Sequence, residues 1–289
     1  MTAAASRDVR TFSDLDALSS AAVDEIVAIA RASVAARGRF TVALAGGNTP
    51  RRTYELLATR HRDEIDWART DIVFGDERFV AADDARSNYE MAHEALLSRV
   101  PIPRERVHAV PTGAPTPEAA AAAYDQTLKA LVGPVIPSAG ARAAGGRNPH
   151  RPDREPSTGN LRIPRLRLGM TDAGATVDLV LLGVGPDGHT ASLFPGSPAV
   201  EERVRYAVAV AAPTAVQPAV PRVTATLPFL NGARTAMFLI TGADKQPVIA
   251  EILSGAESAR RYPAAMVASR ERTIWLIDRT ALPVDRSNT

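Results

Sequence analysis

Cysteine is absent from the 289-residue chain, which excludes disulfides, thiolate zinc sites and cysteine nucleophiles. No apolar run approaches the length needed to span a bilayer, and the opening MTAAASRDVRTF lacks the apolar core of a secretory signal. Net charge is nearly absent as well: 34 Lys and Arg stand against 32 Asp and Glu, a formal +2. That balance gives no electrostatic reason to expect a nucleic-acid or membrane partner. No internal repeat is present. What is there is the composition of a soluble globular protein, with 45% hydrophobic and 23% charged residues. The length suffices for a sizeable core, and a cytoplasmic protein is expected.

Helical and strand patterns alternate along the chain. Ser13–Ala36 carries Leu15, Leu18, Ala22, Ile26 and Ile29 at helical spacing, with Ser13 as the expected N-cap. Ser87–Val100, Thr116–Val132 and Asp244–Leu253 also read as helices. Strands are expected at Phe40–Ala45, Thr70–Phe74, Val107–Val110, Val177–Leu182, Arg205–Val210, Val223–Leu227, Ala236–Ile240 and Thr273–Ile277. The alternation predicts an α/β fold, a Rossmann-like doubly wound and largely parallel sheet flanked by helices. From Gly133 to Ala175 the pattern lapses into Gly, Pro, Ser and Arg without periodicity. This stretch reads as a solvated insertion within a single domain spanning 1–289. A basic arm for nucleic acid is the rival reading, weakened because no aromatic residue is interleaved with its arginines.

Val177–Leu182 is an apolar run rich in branched residues, the pattern of a strand buried on both faces. It ends at Gly183, and Gly185, Pro186 and Gly188 then force a tight turn. That turn delivers Asp187, His189, Thr190 and Ser192 to the C-terminal edge of the sheet, where open α/β folds bind ligands. An imidazole takes a proton from water and returns it to a leaving group, while a nearby carboxylate holds its tautomer. Asp187 and His189 are therefore the candidate catalytic pair. Thr190 and Ser192 are either substrate contacts or caps of a short following helix. Gly183–Gly188 also satisfies G-x-G-x-x-G. Against a dinucleotide site, Pro195 and Gly196 cut the next helix short, and the next strand ends in Ala211-Ala212-Pro213 with no acid for a ribose. No second histidine or carboxylate stands at metal-ligand spacing beside His189, so no metal is expected.

Two further strand ends carry polar loops. Ala45-Gly46-Gly47-Asn48-Thr49-Pro50 brings paired glycines to a helix start, a geometry that suits an anion as well as an ordinary cap, with Thr49 as the cap. The Gly-Lys-Ser/Thr ending of a nucleotide P-loop is missing. Asp76-Glu77-Arg78 follows the strand at Thr70–Phe74; Arg78 suits an oxyanion and Asp76 suits substrate hydroxyls. Arg222 opens an alternating strand, and Lys245 stands at a helix start, where a cation is favourable only beside a bound anion.

These loops, in this order, resemble the 6-phosphogluconolactonases and their relatives, the glucosamine-6-phosphate deaminases. The resemblance rests on LAGGNTP (44–50), FGDERFV (74–80), SNYEMAHEALL (87–97), LLGVGPDGHTASLFPGSPAV (181–200), PRVTATLPFLNGA (221–233), TGADK (241–245) and TIWLID (273–278). It covers almost the whole chain outside the N-terminal tail and the 133–175 insertion. It implies a sugar-phosphate isomerase-like α/β fold and cofactor-free hydrolysis of 6-phospho-D-glucono-1,5-lactone. On that resemblance His189 is the general base, Asp187 orients it, and Asp76 and Arg78 lie beside the lactone. Gly46, Gly47, Asn48, Thr49, Arg222 and Lys245 hold the phosphate, Asn48 standing where the family commonly has serine. Arg78 favours the lactonase, since the deaminase relatives typically carry tyrosine after the Asp-Glu pair. The alternatives are a deaminase or isomerase and a non-catalytic sugar-phosphate binder on the same fold. The sequence leaves monomer and weak dimer equally open.

Overall fold

The computed structural model describes residues 7–133, 176–213 and 216–282. By its internal contacts the chain divides into two units, residues 1–135 with 175–289 and residues 136–174. All described residues belong to the first. The insertion expected at about 133–175 falls, apart from Gly133, outside them. Among the described residues, no helix is long and apolar enough to cross a membrane.

The strands are β1 (Arg7–Phe12), β2 (Phe40–Leu44), β3 (Thr70–Phe74), β4 (Asp76–Arg78), β5 (Leu179–Leu182), β6 (Ala207–Val210), β7 (Arg222–Ala225), β8 (Thr235–Ile240) and β9 (Arg272–Asp278). The helices are α1 (Leu15–Arg37), α2 (Asn48–Arg60), α3 (Asn88–Ala92), α4 (Pro117–Val132), α5 (Leu227–Gly232), α6 (Gln246–Ser254) and α7 (Pro263–Met266). Six strands form one sheet in the order β1-β9-β8-β5-β2-β3, every neighbouring pair parallel. Side chains alternate across it as a pleated strand requires. Leu179, Leu181, Met237, Leu239, Ile274 and Leu276 join the core beneath α1 and α2. Val180, Leu182, Phe238, Ile240, Trp275 and Ile277 join the core with α4 and α6. Helices on both faces make the central strands apolar throughout, which is why they are readable as short uninterrupted runs.

A second, antiparallel sheet of order β4-β7-β6 stands at the C-terminal end of β3. Its first strand is the segment Asp76–Arg78, read from sequence as a loop. Three charged residues carry no apolar period, and the strand exists through its pairing with Arg222–Thr224. Strand β1 was likewise missed, because charged Asp8 and Arg10 interrupt an edge position. Other expectations are corrected in detail. Asp14, not Ser13, caps α1, its carboxylate accepting the Ala17 N–H at 2.9 Å. Val107–Val110 makes only one parallel bridge, to Ile72, rather than a strand. Helix α3 covers the first part of the helix expected at Ser87–Val100 and passes into a wider π turn at His93–Leu97.

Two buried tyrosines finish the strands that lead into the polar loops. The Tyr54 hydroxyl donates to Ala45 C=O (2.9 Å) and accepts from Ala45 N–H (3.0 Å). Tyr124 does the same for Phe74, at 2.9 and 2.7 Å, on the edge strand β3. Burial pushes both phenols up, so each stays protonated and serves as donor and acceptor at once. Tyr54→Phe removes both partners of Ala45 and should destabilise the fold by about 1–3 kcal/mol. Urea unfolding measures this, and an unchanged midpoint contradicts the assignment.

Candidate active site

The C-terminal ends of β2, β3, β5 and β8 open onto one cleft of about 420 Å³. Gly46, Gly47, Asn48, Thr49, Asp76, Arg78, His189, Arg222 and Lys245 all line it. Four loops separated by up to about two hundred residues of sequence thus converge, as the sheet order dictates: β5 lies between β2 and β8. Asp187 stands just behind, in contact with the imidazole.

The Asp187–His189 pair is built on a turn whose glycines, Gly185 and Gly188, leave no room for a side chain. Asp187 Oδ1 lies 2.5 Å from His189 Nδ1 and also accepts the His189 backbone N–H at 3.1 Å. The Asp187 side chain is 41% exposed and that of His189 16%, so the carboxylate sits on the solvent side of the ring. Partial burial pushes the Asp187 carboxyl up, but the His189 hydrogen bond and charge outweigh it. The group lies below the ordinary carboxylate range and is ionised at neutral pH. A methyl group on Gly185 would stand 2.1 Å from His189 Nδ1 and 2.8 Å from Asp187 Oδ1. This glycine is therefore required for the imidazole to fold over it, a packing role of its own within the G-x-G-x-x-G match.

No helix begins at Thr190 or Ser192; the next helical turn is a 3-10 turn at Pro198–Glu201, capped by Ser197. Ala191 takes φ +49°, the left-handed region that L-residues occupy at a cost of about 1–2 kcal/mol. The conformation is held from both sides: Thr190 Oγ1 donates to Gly183 C=O at 2.9 Å, and Ser192 N–H donates to Thr224 Oγ1 at 3.0 Å. Thr190 and Ser192 are thus not helix caps. Ser192 Oγ donates to Asp76 Oδ2 (2.5 Å) and accepts from Arg222 Nη1 (3.3 Å), tying the turn to the small sheet. Phe194 packs on the His189 ring, centroids 4.8 Å apart, and lies 5.5 Å from the Arg222 guanidinium. One aromatic ring spaces the imidazole from the cation.

Three cations face the cleft under different constraints. Arg78 and Arg222 are directly opposed in the antiparallel β4–β7 pair, an arrangement that like charges disfavour unless an anion sits between or beside them. Burial pulls the Arg222 guanidinium down from its usual value; nearby Asp76 opposes this and Arg78 adds to it. Arg78 Nη1 is tethered to Arg86 C=O at 2.7 Å. Among the described residues, Arg78 Nε and Arg222 Nε are buried without a partner, and each such donor calls for an explanation, a bound anion being one. Lys245, the residue before α6, holds Asp244 at 3.1 Å through an exposed ion pair.

The glycine-rich loop departs from its expected form. Helix α2 starts at Asn48 with Gly47 before it, and Thr49 does not cap it. The Thr49 hydroxyl instead pairs with Thr241 Oγ1 at 2.8 Å, across to the β8 loop. Gly46 is required by Asn88: a methyl group at 46 would lie 1.8 Å from Asn88 Oδ1. Asn88 Nδ2 in turn donates to Asp76 C=O (2.9 Å) and Asp76 Oδ1 (3.1 Å), so this amide bridges the glycine loop and Asp76. Buried Glu77 fixes Asn88 by accepting the N–H groups of Arg78, Asn88 and Tyr89, each at 2.7 Å. Burial lifts the Glu77 carboxyl above its ordinary value, although those three N–H groups pull the other way. Asn88, Thr241 and Phe194 contact the site without having been given a role from sequence, and Glu77, named there only as part of the polar loop, supports it through Asn88. The Ser87-to-Glu90 capping pattern was the available signal for Asn88 and Glu77.

The family profile described as glucosamine-6-phosphate isomerases/6-phosphogluconolactonase matches residues 13–275. A 6-phosphogluconolactonase of Nostoc sp. is 32% identical over 275 residues, covering 95% of this chain and 97% of its own length. One from Streptomyces coelicolor is 35% identical, covering 93% of this chain and 90% of its own. The crystal structure of 6-phosphogluconolactonase from Leishmania guyanensis superposes with a TM-score of 0.76 at 26% identity, covering 96% and 97% of the two chains.

Gly185→Ala should drive the imidazole off Asp187 while leaving the fold intact. The check is the His189 ring signal in ¹H–¹⁵N correlation spectra; a signal identical to the parent's contradicts the packing described.

Proposed function

The chain belongs to the glucosamine-6-phosphate isomerase/6-phosphogluconolactonase family, and from that premise we propose that it hydrolyses 6-phospho-D-glucono-1,5-lactone to 6-phospho-D-gluconate. The observation that carries this reading is the shared cleft, lined by a carboxylate-oriented imidazole and three cationic side chains. Its volume lies within the range of small-molecule sites.

With Nδ1–H directed to Asp187, Nε2 is the basic nitrogen of His189. It takes a proton from water as the water oxygen bonds to the lactone C1. Electron density moves onto the carbonyl oxygen, for which Arg78, the cation of β4 that lines the cleft, is the stabilising donor. Collapse of the tetrahedral intermediate breaks the bond between C1 and the ring oxygen, and protonated His189 returns its proton to that oxygen. The product carboxylic acid loses its proton to solvent, so neither metal nor redox cofactor enters the balance. General-base assistance of this type contributes about 10²–10⁴-fold.

The phosphate, remote from the reacting bond, is held by Arg222, Lys245 and the loop of Gly46, Gly47, Asn48 and Thr49. Binding energy there fixes C1 against the base and so serves orientation. Asp76 accepts Asn88 Nδ2 on one oxygen and Ser192 Oγ on the other. That engagement suits a group that orients sugar hydroxyls.

The test is a rapid assay on freshly made lactone beside an ammonia-release assay on glucosamine 6-phosphate. Lactone loss far above the spontaneous rate without ammonia is expected; ammonia release without lactone hydrolysis contradicts the proposal. Arg222→Ala and Lys245→Ala should each raise KM for the phosphorylated lactone about tenfold to hundredfold, the loss of one charge-assisted contact. The preference over unphosphorylated gluconolactone should shrink in parallel, and an unchanged preference contradicts the phosphate assignment.

A further inference from the structure

Gly188, the residue between Asp187 and His189, has φ +81° and is gripped from outside the cleft. A methyl group at this position would lie 2.3 Å from Tyr262 Cδ1 and 2.6 Å from Cγ, so the Tyr262 ring packs flush on the Gly188 backbone. Two residues later, Ala264 N–H donates to Gly188 C=O at 3.1 Å. The peptide joining the catalytic pair is thus held by one ring and one hydrogen bond from the segment that leads into α7.

That segment is itself anchored. The Tyr262 hydroxyl donates to Glu251 Oε2 at 2.7 Å, and Arg261 Nη2 donates to the same oxygen at 2.7 Å. The Arg261 guanidinium also lies 4.7 Å from the Tyr262 ring centroid. Glu251 sits on α6, whose N-terminal end is flanked by Lys245 in the cleft. One helix therefore carries a cation of the cleft at its start and, near its other end, the acid that steadies Tyr262.

We propose that Tyr262 is a positioning residue for the reaction: its ring sets the Gly188 backbone so that Asp187 Oδ1 meets His189 Nδ1. The inference rests on the reading of Asp187 and His189 as the orienting acid and base. Tyr262 does not line the cleft, so its action runs through that pair and spares the phosphate contacts. A misplacement of about 1 Å at reacting groups costs about a hundredfold in rate.

The experiment is a double-mutant cycle on lactone hydrolysis, with kcat and KM measured separately. Tyr262→Leu keeps apolar bulk but not the flat ring; it should lower kcat about tenfold to a hundredfold with KM unmoved within about threefold. In an Asp187→Asn background the same change should lower kcat by less than about threefold, because the alignment it protects is already lost. Tyr262→Phe keeps the ring and should restore kcat to within about threefold of the parent. Equal losses in both backgrounds, or a loss confined to KM, overturn the proposal, as does a Tyr262→Phe as poor as Tyr262→Leu. If Tyr262→Leu does not fold, Tyr262→Met, which also removes the flat ring while keeping apolar bulk, carries the same cycle. There, a defect independent of Asp187 overturns it. Parental kcat in Asp187→Asn alone would sink the underlying reading of the pair, whereas a defective Asp187→Asn with a fully active Tyr262→Leu sinks only the role given to Tyr262.

Discussion

The 2.5 Å contact between Asp187 and His189 is the constraint on which the rest of the site depends. It closes over Gly185, where any side chain would collide with the imidazole. It requires the turn after β5 to double back, and the turn does so with Ala191 in the left-handed region. Such a conformation persists only where the surroundings over-determine it. Here they do: Thr190 is tied to Gly183, Ser192 to Thr224 and Asp76, and Gly188 to Ala264. The buried β5 strand, paired on both sides, supplies the rigid base from which the turn departs.

The second organising feature is the small antiparallel sheet. It sets Asp76 and Arg78 on one strand opposite Arg222 on the next, so an acid and two cations share a few residues of backbone. Ser192 and Phe194 then link this sheet to the histidine turn, one by hydrogen bonds and the other by ring contacts. Asn88 links it to the glycine loop. The half of the cleft suited to an anion and the half suited to proton transfer are therefore one mechanical unit. Fixed geometry of this kind is what orientation of a substrate by a remote anionic group requires.

Much of this is legible in local patterns of the sequence. His189 and Asp187 were legible because a short apolar run, a glycine-rich turn and two titratable residues are contiguous. Gly46, Gly47, Arg222 and Lys245 were legible as loop and strand-end residues whose types suit an anion. The central strands were readable because burial on both faces leaves uninterrupted apolar runs. Strand β4 was not, since Asp76–Arg78 has no apolar residue and pairs only through β7. The start of α2 was misplaced by two residues because Thr49-Pro50 imitates a cap, while Gly47 holds the cap position and the Thr49 hydroxyl is in fact spent on Thr241. Phe194 and Tyr262 were invisible for a common reason, whereas Asn88 had the Ser87-to-Glu90 capping pattern beside it as a signal. Tyr262 matters through Gly188, far away in the chain, and Phe194 through a ring tilted against His189, and one-dimensional spacing holds no record of such contacts.

The account stands or falls on the imidazole. The most direct measurement is the single-turnover rate of His189→Ala on fresh 6-phospho-D-glucono-1,5-lactone, corrected for spontaneous opening, beside its affinity for 6-phospho-D-gluconate. The account predicts a rate about 10²–10⁴-fold below the parent's, with product affinity unchanged within about threefold. A His189→Ala protein that opens the lactone at the parental rate contradicts it.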